Sequence, residues 1–393
     1  MLNVVSDKRK NERMNGMLKI FLTGDNHIGS KYANYGEKAT YLAEKRIDAF
    51  ENMVSIANEE QCSIFAIAGD LFDNINRIKK SDVKSLLEKL SKFHDTVVIL
   101  PGNHDYYNEN ARVWKYFSEM VHEYDNIILL TEYKPYTIPW MEESVTLYPA
   151  FCTSSHSGKN ENNLDWIKKI EIHSEKGYHI GIAHGAVEGE TIDTEGMYFL
   201  MQRSELESIP VDVWLLGHTH VPFPKNLTEN MEKADTRIFN AGTHVQTNVS
   251  CNTDGRCFII QIDDEKKVQA KSVHTGNLYF YRKSVEVTPG NLEKALDHAL
   301  AGISDQSIVE LRLAGALSME EFADRHQIIQ NAMDRFIEGK YQDENLVKEI
   351  SQDLIDSEFA EAAFSSIFLK ALLQEPKEAQ MVYDMLMSMK EGK

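Results

Sequence analysis

Two patterns of apolar residues alternate along the chain between about residues 18 and 262. Short uninterrupted apolar runs, typical of buried strands, occur at residues 20–22, 64–68, 97–100, 127–130, 145–148, 180–183 and 213–216. Between these runs, apolar residues recur at helical spacing, as at Ile47, Phe50 and Val54. This order predicts an α/β protein in which helices cover the sheet.

Beyond Phe239 the pattern becomes that of successive strands, at residues 257–262, 268–273 and 278–281. A Pro289-Gly290 turn then follows, after which the composition changes. We therefore predict three parts: an N-terminal extension over residues 1–16, a main domain over 17–283 and a smaller α+β accessory region over 284–393. Either the extension is a flexible N-terminal segment, or Met17 is the true first residue of the protein.

The accessory region is predicted to contain a strand at residues 308–313, a helix over about 319–336, and further helices on both sides of Pro376. Apolar residues recur at roughly helical spacing along the last part of it: Leu346, Ile350 and Leu354, then Phe364, Ile367, Phe368 and Leu372, then Met381, Met385, Leu386 and Met389. These stripes either pack on their own chain or dock a partner's coiled coil.

The charge of the chain restricts the ways in which it could hold nucleic acid. Of 393 residues, 61 are Asp or Glu and 42 are Lys or Arg, which gives a formal net charge of -19. A uniformly basic binding surface is therefore excluded, and a phosphate-bearing substrate needs a local site. Residues 284–393 hold 21 acidic and 10 basic side chains, so more than half of the excess acidity lies in the accessory region.

Cysteine use and hydropathy indicate a cytoplasmic protein. Four cysteines without a Cys-x-x-Cys pair are typical of ordinary packing residues in a reducing compartment. No stretch approaches the roughly 18 consecutive apolar residues that a membrane helix needs. We therefore predict no membrane association.

Five short clusters of metal-binding residue types lie near the ends of the predicted strands. They are Gly24-Asp25-Asn26-His27, Gly69-Asp70-Leu71-Phe72-Asp73, Gly102-Asn103-His104-Asp105, Ala183-His184-Gly185 and Gly217-His218-Thr219-His220. Any one of them alone is weak evidence, since a histidine at a strand end is commonly a hydrogen-bonded structural residue. Together they supply carboxylate, imidazole and amide donors without cysteine, a set that suits Mn, Fe or Zn and argues against a structural zinc site.

The number of donors favours two ions over one. The seven candidate ligands are Asp25, His27, Asp70, Asn103, His184, His218 and His220. A single ion needs three or four such groups, and one carboxylate can bridge two ions. The sequence thus predicts a hydrolytic centre in which metal-bound hydroxide attacks phosphorus and the leaving oxygen takes up a proton.

His104 is the predicted proton donor and, with Asp105, makes up the predicted catalytic pair. The histidine lies between the ligand Asn103 and the carboxylate of Asp105, which favours its charged form. The alternative is that Asn-His-Asp is only a polar turn. We interpret Asp73 and Asp105 as residues that orient ligating or catalytic histidines rather than as direct ligands.

The order and content of the five clusters resemble the calcineurin-like metallophosphoesterase superfamily, and within it the SbcD-like DNA repair nucleases. The resemblance spans about residues 17–283 and includes Phe239-Asn240-Ala241-Gly242-Thr243 after the last metal motif. It implies a four-layer α/β/β/α sandwich with the metals at one edge. It also implies that Asp25, His27, Asp70 and His220 hold one ion, that Asp70, Asn103, His184 and His218 hold the other, and that His104 is the catalytic acid.

The same resemblance implies manganese as the favoured metal, with Fe, Zn or Mg as alternatives, and DNA as the substrate of exonuclease and endonuclease activities. It further implies an SbcC-like coiled-coil ATPase as a partner, dimerisation through the nuclease domain, and a capping role for the accessory region. His244, Arg237 and Arg256 are candidates for the substrate side, with a solvated-surface role as the alternative.

Our leading hypothesis is therefore a two-metal phosphodiesterase that degrades DNA in repair. One rival is a phosphoesterase for nucleotides or another small phosphoester, which the net charge of -19 favours. The other is a scaffold that has lost catalysis, which the presence of all seven ligands and His104 argues against.

Overall fold

The computed structural model describes residues 17–173, 176–190, 193, 195–251, 253–361 and 363–390. The predicted extension over residues 1–16 lies outside these ranges. The chain divides into two compact units, one of residues 17–247 and 253–278 and the other of residues 248–251 and 279–390. This division comes slightly before the predicted boundary after Lys283, because the strand Tyr279–Val287 pairs along its length with the next strand of the second unit.

Two β-sheets form the centre of the first unit. In chain order its strands are β1 Leu18–Thr23, β2 Ile64–Ala68, β3 Thr96–Leu100, β4 Ile127–Leu129, β5 Tyr136–Trp140, β6 Glu143–Ala150, β7 Tyr178–His184, β8 Val213–Gly217, β9 Glu232–Lys233, β10 Ile238–Asn240, β11 Arg256–Ile262 and β12 Val268–His274. The seven-stranded sheet has the order β4-β3-β2-β1-β11-β12-β9, and the five-stranded sheet has the order β10-β8-β7-β6-β5. β1 to β4 run parallel, as do β6, β7, β8 and β10.

The period-two alternation of side chains explains why two sheets stack. In β1, Ile20 and Leu22 lie in the core between the sheets, whereas Phe21 points into the helical layer. In β2, Ala66 likewise lies between the sheets and Phe65 points into the helical layer. Both faces of these strands are thus covered, which is why they appear in the sequence as uninterrupted apolar runs.

Helices complete the sandwich. The helices α1 Ala39–Glu59, α2 Lys80–Leu90 and α3 Arg112–Val121 bury apolar residues against the outer face of the seven-stranded sheet. The outer face of the other sheet is covered by a thinner layer that includes the short helix α4 Arg203–Ser208 and the 3-10 turn Ile167–Lys169. The predicted α/β/β/α fold is confirmed, with a fourth layer that contains little regular helix among the described residues.

The second unit begins as a small α/β fold. Strands β13 Tyr279–Val287, β14 Ser307–Leu317 and β15 Glu338–Lys348 form a parallel sheet, and helices α5 Leu292–Leu300 and α6 Met319–Met333 connect them in turn. Both helices pack on one face of the sheet around a common apolar core. The predicted strand at 308–313 and the predicted helix from 319 are confirmed.

The end of the second unit differs in part from the predicted pattern. It contains helices α7 Gln352–Glu358, α8 Phe364–Ala371 and α9 Pro376–Lys390, and Pro376 is the first residue of α9, where a missing N–H costs nothing. The helical interpretation of Leu346 and Ile350 is wrong. Leu346 lies in β15 opposite Gly315 of β14, since pairing with an existing strand outweighs a short helical spacing.

Within the described ranges, no helix combines the length and the apolar character that crossing a bilayer requires.

Candidate metal centre

The predicted ligands converge because each follows a parallel strand. Asp25 lies just after β1, Asp70 after β2 and Asn103 after β3, while His184 ends β7 and His218 follows β8. The carboxyl ends of parallel strands meet at one edge of a sheet, where open α/β folds place their ligands. The sandwich therefore brings residues almost 200 positions apart into contact, as in the 3.0 Å approach of the Nε2 atoms of His27 and His220.

The loops that carry the ligands have unusual backbone conformations. Positive φ angles occur at Asp25 (49°), His27 (45°), Asp70 (51°) and His220 (54°), although none of these is glycine. Such left-handed residues are strained and persist only when their surroundings hold them. Here the first two loops hold each other, because the N–H of His27 donates to the carbonyl of Asp70 at 2.9 Å.

Two glycines allow the ligands to approach the backbone closely. At Gly69, where φ is 89°, a Cβ atom would lie 2.0 Å from Nδ1 of His184. At Gly102 a Cβ atom would lie 2.2 Å from Oδ1 of Asp70. Any side chain at either position would push a ligand out of the cluster.

The inner group of ligands, Asp70, Asn103, His184 and His218, is mostly buried. Nε2 of His184 lies 3.0 Å from Oδ1 of Asn103 and 3.3 Å from Oδ2 of Asp70. Nδ1 of His218 lies 3.0 Å from the same Asn103 oxygen. The other ring nitrogen of His184, Nδ1, lies 2.9 Å from the carbonyl oxygen of Ala68, an arrangement that assigns its proton to Nδ1 and leaves Nε2 for a metal.

The outer group consists of Asp25 and His27, which are buried, and His220, which is open to solvent. The potential ligand atoms of these three residues all lie within 4.8 Å of one another, and His220 is exposed. The carboxylate of Asp25 also accepts the backbone N–H of His218, at 2.8 Å. Asp25 thereby fixes the loop that carries ligands of both groups.

Asp70 stands between the two groups. Its Oδ2 lies 3.3 Å from Nε2 of His184 and 3.7 Å from Nε2 of His27, which is the position that a bridging carboxylate requires. Burial alone would raise the pKa of this carboxyl, but His184, His27 and His104 outweigh burial and hold it well below its usual range. Asp70 is therefore ionised and available to cations.

The ligand histidines differ in their protonation, and His184 stands apart from His218 and His220. Burial lowers the pKa of His184, but Asp70 and Asp25 more than compensate and raise it to about 9. Burial, together with the charge of His184, lowers the pKa of His218 to about 4, and burial also lowers that of His220. His218 and His220 are thus neutral, as metal ligands must be, whereas His184 has to release a proton when it binds a cation.

The donor set fits the two divalent ions that are typical of this fold. It contains only nitrogen and oxygen atoms, its carboxylates are ionised or placed among N–H donors, and His184 presents Nε2 once it has released a proton. Asp25, His27, Asp70 and His220 would hold one ion, and Asp70, Asn103, His184 and His218 would hold the other.

His104 lies beside the cluster but is open to solvent. Its ring packs edge-on against His27 at a centroid distance of 4.6 Å, and the residue is exposed. Its backbone N–H donates to Oδ1 of Asp70 at 2.8 Å, and its Nδ1 lies 3.2 Å from the carbonyl oxygen of Asp73. A proton on Nδ1 bonds that carbonyl, so Nε2 is the nitrogen that can exchange a proton with a substrate.

The two carboxylates that we interpreted as orienting residues have different partners. Asp73 lies 3.4 Å from Nδ1 of His27 and so supports a predicted ligand. Asp105 does not orient a histidine through its carboxylate, which accepts the backbone N–H groups of Gly102 at 2.6 Å and Phe72 at 3.0 Å. Asp105 therefore ties together the loops that follow β2 and β3, and burial raises its pKa to about 7.

The three further candidates for the substrate side are engaged by other parts of the protein. His244 is completely buried behind the Asp25 turn. Arg237 donates to the carbonyl oxygens of residues 207, 209 and 211 near the end of α4. Arg256 forms an ion pair with Asp254 at 2.7 Å.

Sequence reasoning missed two neighbours of the ligands. The ring of Tyr198 lies 5.2 Å from that of His218, and the carboxylate of Asp193 positions it by accepting the N–H of Tyr198 at 2.9 Å. Arg46, in α1, is buried and donates to the carbonyl oxygen of Asn26 within the Asp25 turn. An arginine inside an otherwise apolar helical stripe is the signal that could have revealed Arg46.

Comparisons with known proteins agree with this description. The sequence model of the calcineurin-like phosphoesterase family matches residues 18–222. The metallophosphoesterase YhaO of Bacillus subtilis is 23% identical over 181 residues, which cover 46% of this chain and 42% of YhaO. Protein L509 of Acanthamoeba polyphaga mimivirus is 27% identical over 114 residues, 27% of this chain and 39% of that protein. The match thus spans less than half the length of either curated relative.

A dimetal phosphatase from Danio rerio is similar in structure, with 12% sequence identity, a TM-score of 0.39, and coverage of 66% of this chain and 99% of that one. The family match extends over more than half of the 393 residues and includes every predicted ligand from Asp25 to His220. The chain therefore belongs to the calcineurin-like phosphoesterase family, whose members are metal-dependent phosphoesterases.

Proposed function

We propose that this metallophosphoesterase is an SbcD-like phosphodiesterase that cleaves DNA with two divalent ions, manganese being the favoured metal. The observation that carries the proposal is the exposed position of His104 and His220 beside the buried ligands. Because two site histidines face solvent, a phosphodiester within a long polymer can approach the cluster from the surface. The motif resemblance to repair nucleases supports DNA as that polymer.

The residues of the chain divide the chemistry among them. When bound, the two ions neutralise charge on the phosphoryl oxygens and lower the pKa of the attacking water. Asp70 keeps the two ligand groups together, and its Oδ1 fixes the backbone of His104. His104 then gives the proton on Nε2 to the leaving oxygen, while its Nδ1–H stays on the carbonyl of Asp73.

The acidity of the chain shapes how DNA binds. With a net charge of -19, attraction between DNA and the whole protein surface is unfavourable. Binding must then depend on the bound cations and on a restricted patch. We expect removal of the metal with a chelator to abolish DNA binding as well as cleavage.

The same acidity favours the second candidate, a phosphoesterase for nucleotides or another small phosphoester. The experiment that separates the two uses purified protein with manganese on linear duplex DNA, on single-stranded DNA and on a panel of nucleotides. Cleavage of either DNA substrate supports the nuclease proposal. Turnover confined to nucleotides would overturn it in favour of the second candidate.

We also propose that helices α8 and α9 dock a coiled-coil ATPase of the SbcC type. Their inner residues, including Leu369 and Tyr383, form a small core, but large apolar side chains remain on the outside. Phe364 is 78% exposed, Met381 69% and Met389 70%. Exposed apolar residues that recur along two helices are typical of a surface that binds another helix, and methionine side chains adapt to such contacts.

The docking proposal is tested by replacing Phe364, Met381 and Met389 together with serine and measuring copurification with the coiled-coil ATPase. Met141→Ser, at a methionine that is 50% exposed in the first unit, is the matched control. We expect the triple variant, and not the control, to lose the ATPase. Retention of the ATPase by the triple variant would exclude this face, and a shift from dimer to monomer with the ATPase retained would assign the face to a second copy of the chain.

A further inference from the structure

A closed ring of hydrogen bonds lies directly behind the turn that carries Asp25 and His27. Arg46 Nε donates to the carbonyl oxygen of Asn26. Nδ2 of Asn26 donates to Nδ1 of His244 at 3.0 Å, and Nε2 of His244 donates to the carbonyl oxygen of Arg46 at 3.1 Å. The ring thus links α1, the turn after β1 and the loop after β10.

All three members of the ring are inaccessible to solvent. Asn26 and His244 are fully buried, and Arg46 is 2% exposed. The guanidinium of Arg46 also donates to the hydroxyl of Tyr32 at 3.2 Å and lies 3.5 Å from the carbonyl oxygen of Asp25. The ring therefore contacts the backbone of a predicted ligand, while none of its side chains reaches the space between the ligands.

The acceptors of Arg46 in this network are all neutral. A buried guanidinium normally has a carboxylate partner, since an unpaired charge is costly to bury. Within the described part of the chain Arg46 forms no ion pair, and its guanidinium donates to two main-chain carbonyls and one hydroxyl. A charged group in such a costly position indicates a specific structural role that a neutral side chain could not fill. The turn that carries Asp25 and His27 is the feature it contacts.

The turn in front of the ring needs such support. Asp25 and His27 both have left-handed φ angles, 49° and 45°, on either side of Asn26. A non-glycine residue keeps a left-handed backbone conformation only when contacts from its neighbours hold it there. Arg46 binds the carbonyl oxygens of Asp25 and Asn26, which are the two groups that would rotate if the turn relaxed.

We propose that Arg46, Asn26 and His244 are positioning residues for the outer metal ion, the one held by Asp25, His27 and His220. They fix the backbone of the Asp25 turn, so that the two ligands of this turn face His220. The inner ion, which depends on Asn103, His184 and His218, is linked to the ring only through the Asp25 carboxylate that accepts the N–H of His218, so it relies on the ring less. This inference rests on the metal centre of the family and not on the proposed DNA substrate.

The test is a manganese titration of chelator-stripped protein by calorimetry, together with thermal unfolding of each variant. Arg46→Lys keeps the charge but loses the planar fork, and His244→Phe keeps the packing on Phe50 but removes both ring hydrogen bonds. We expect each variant to bind the outer ion roughly 10- to 100-fold more weakly, the usual effect of removing a residue that orients ligands, and to weaken the inner ion much less.

Tyr148→Phe is the matched control, because it removes a buried 2.7 Å hydrogen bond to His179 in the other sheet. We expect the control to lower the unfolding temperature without changing the affinity of either ion. If Arg46→Lys does not fold, His244→Phe decides the question. Unchanged binding of both ions, or equal weakening of both, would overturn the proposal, because a merely structural ring would not distinguish between the two ions.

Discussion

The inner and outer ligand groups both combine an aspartate with two histidines but are held in different ways. His184 of the inner group is fully buried, and a main-chain carbonyl, that of Ala68, fixes its tautomer. In the outer group His220 is exposed, and His27 is supported by a side chain, that of Asp73. The ring of His184 is thus fixed by the main chain, whereas the ring of His27 depends on a replaceable side chain, and the exposed ligand His220 belongs to the outer group.

The largest effect is expected from Asp70→Asn, which removes the carboxylate that both groups share. The neutral amide keeps the shape of Asp70 but loses the charge that lies 3.3 Å from His184 and 3.7 Å from His27. Each ion supplies several kcal/mol of transition-state stabilisation, so activity should fall by roughly 10⁴-fold or more. Metal content, measured by mass spectrometry after desalting, should fall for both ions.

Asp212→Asn is the control for this variant, since the side chain of Asp212 is only 7% exposed and accepts the N–H of His179 at 2.7 Å. It should retain both ions. A fully active Asp70→Asn variant, or one that loses a single ion, would show that Asp70 does not bridge the two groups.

His104→Ser separates proton transfer from metal binding. The side chain of His104 is exposed, and the contact of the residue with Asp70 is made through its backbone N–H, which serine keeps. We expect kcat to fall by roughly 10² to 10⁴-fold, the usual contribution of a positioned proton donor, with both ions retained. Loss of the ions in this variant would instead assign His104 to the ligand set.

The strands that carry the ligands, and the sheet edge at which the ligands lie, could be predicted from local sequence. The apolar runs of β1, β2 and β3 and the polar residues that follow them place Asp25, Asp70 and Asn103 at one sheet edge, because parallel strands leave their carboxyl ends together. The two-sheet fold itself came from the motif resemblance, since periodicity predicted a sheet and helices but not the number of sheets. The strand at 308–313 and the helix after it also followed from their periodicity.

The features that local sequence did not predict depend on contacts between segments that are distant in sequence. Periodicity could not show that Leu346 pairs with β14, because that choice belongs to the partner strand. The neighbours of Asp105 in sequence suggested His104 as its partner, but its carboxylate turned to the N–H groups of Phe72 and Gly102. The ring of Arg46, Asn26 and His244 joins residues up to 218 positions apart and has no local pattern.

The inner group gives the metal-free protein a distinct pH dependence. The pKa of His184 is raised to about 9 by Asp70 and Asp25, above its ordinary value of 6.5. A raised pKa contributes stability that is fully present below about pH 6.5 and is lost as the pH rises through about 9. We expect the free energy of unfolding of chelated protein to fall by an amount on the order of 3 kcal/mol across this range.

Urea unfolding at pH 6.5 and pH 9, with and without manganese, measures this difference. Metal-loaded protein should lack the loss, because a bound cation replaces the proton on His184. The outer histidine His220 has a lowered pKa and contributes no loss in this range. Stability of the chelated protein that rises between the two pH values would contradict the pairing of His184 with Asp70.

The smallest effect is expected from Asp73→Asn, which tests the weaker support of the outer group. The carboxylate of Asp73 lies 3.4 Å from Nδ1 of His27 and accepts the hydroxyl of Ser30 at 3.1 Å. Asparagine keeps an acceptor but loses the charge that holds the His27 ring in place, so the outer ion should bind roughly 10- to 100-fold more weakly. A manganese titration should show the inner ion unchanged, since the carbonyl of Ala68 still supports His184.

Ser30→Ala, which leaves the carboxylate in place, should have little effect on either ion. Equal weakening of the two ions in Asp73→Asn would mean that the two groups share their support, and the contrast between a group fixed by main chain and one fixed by side chains would fail.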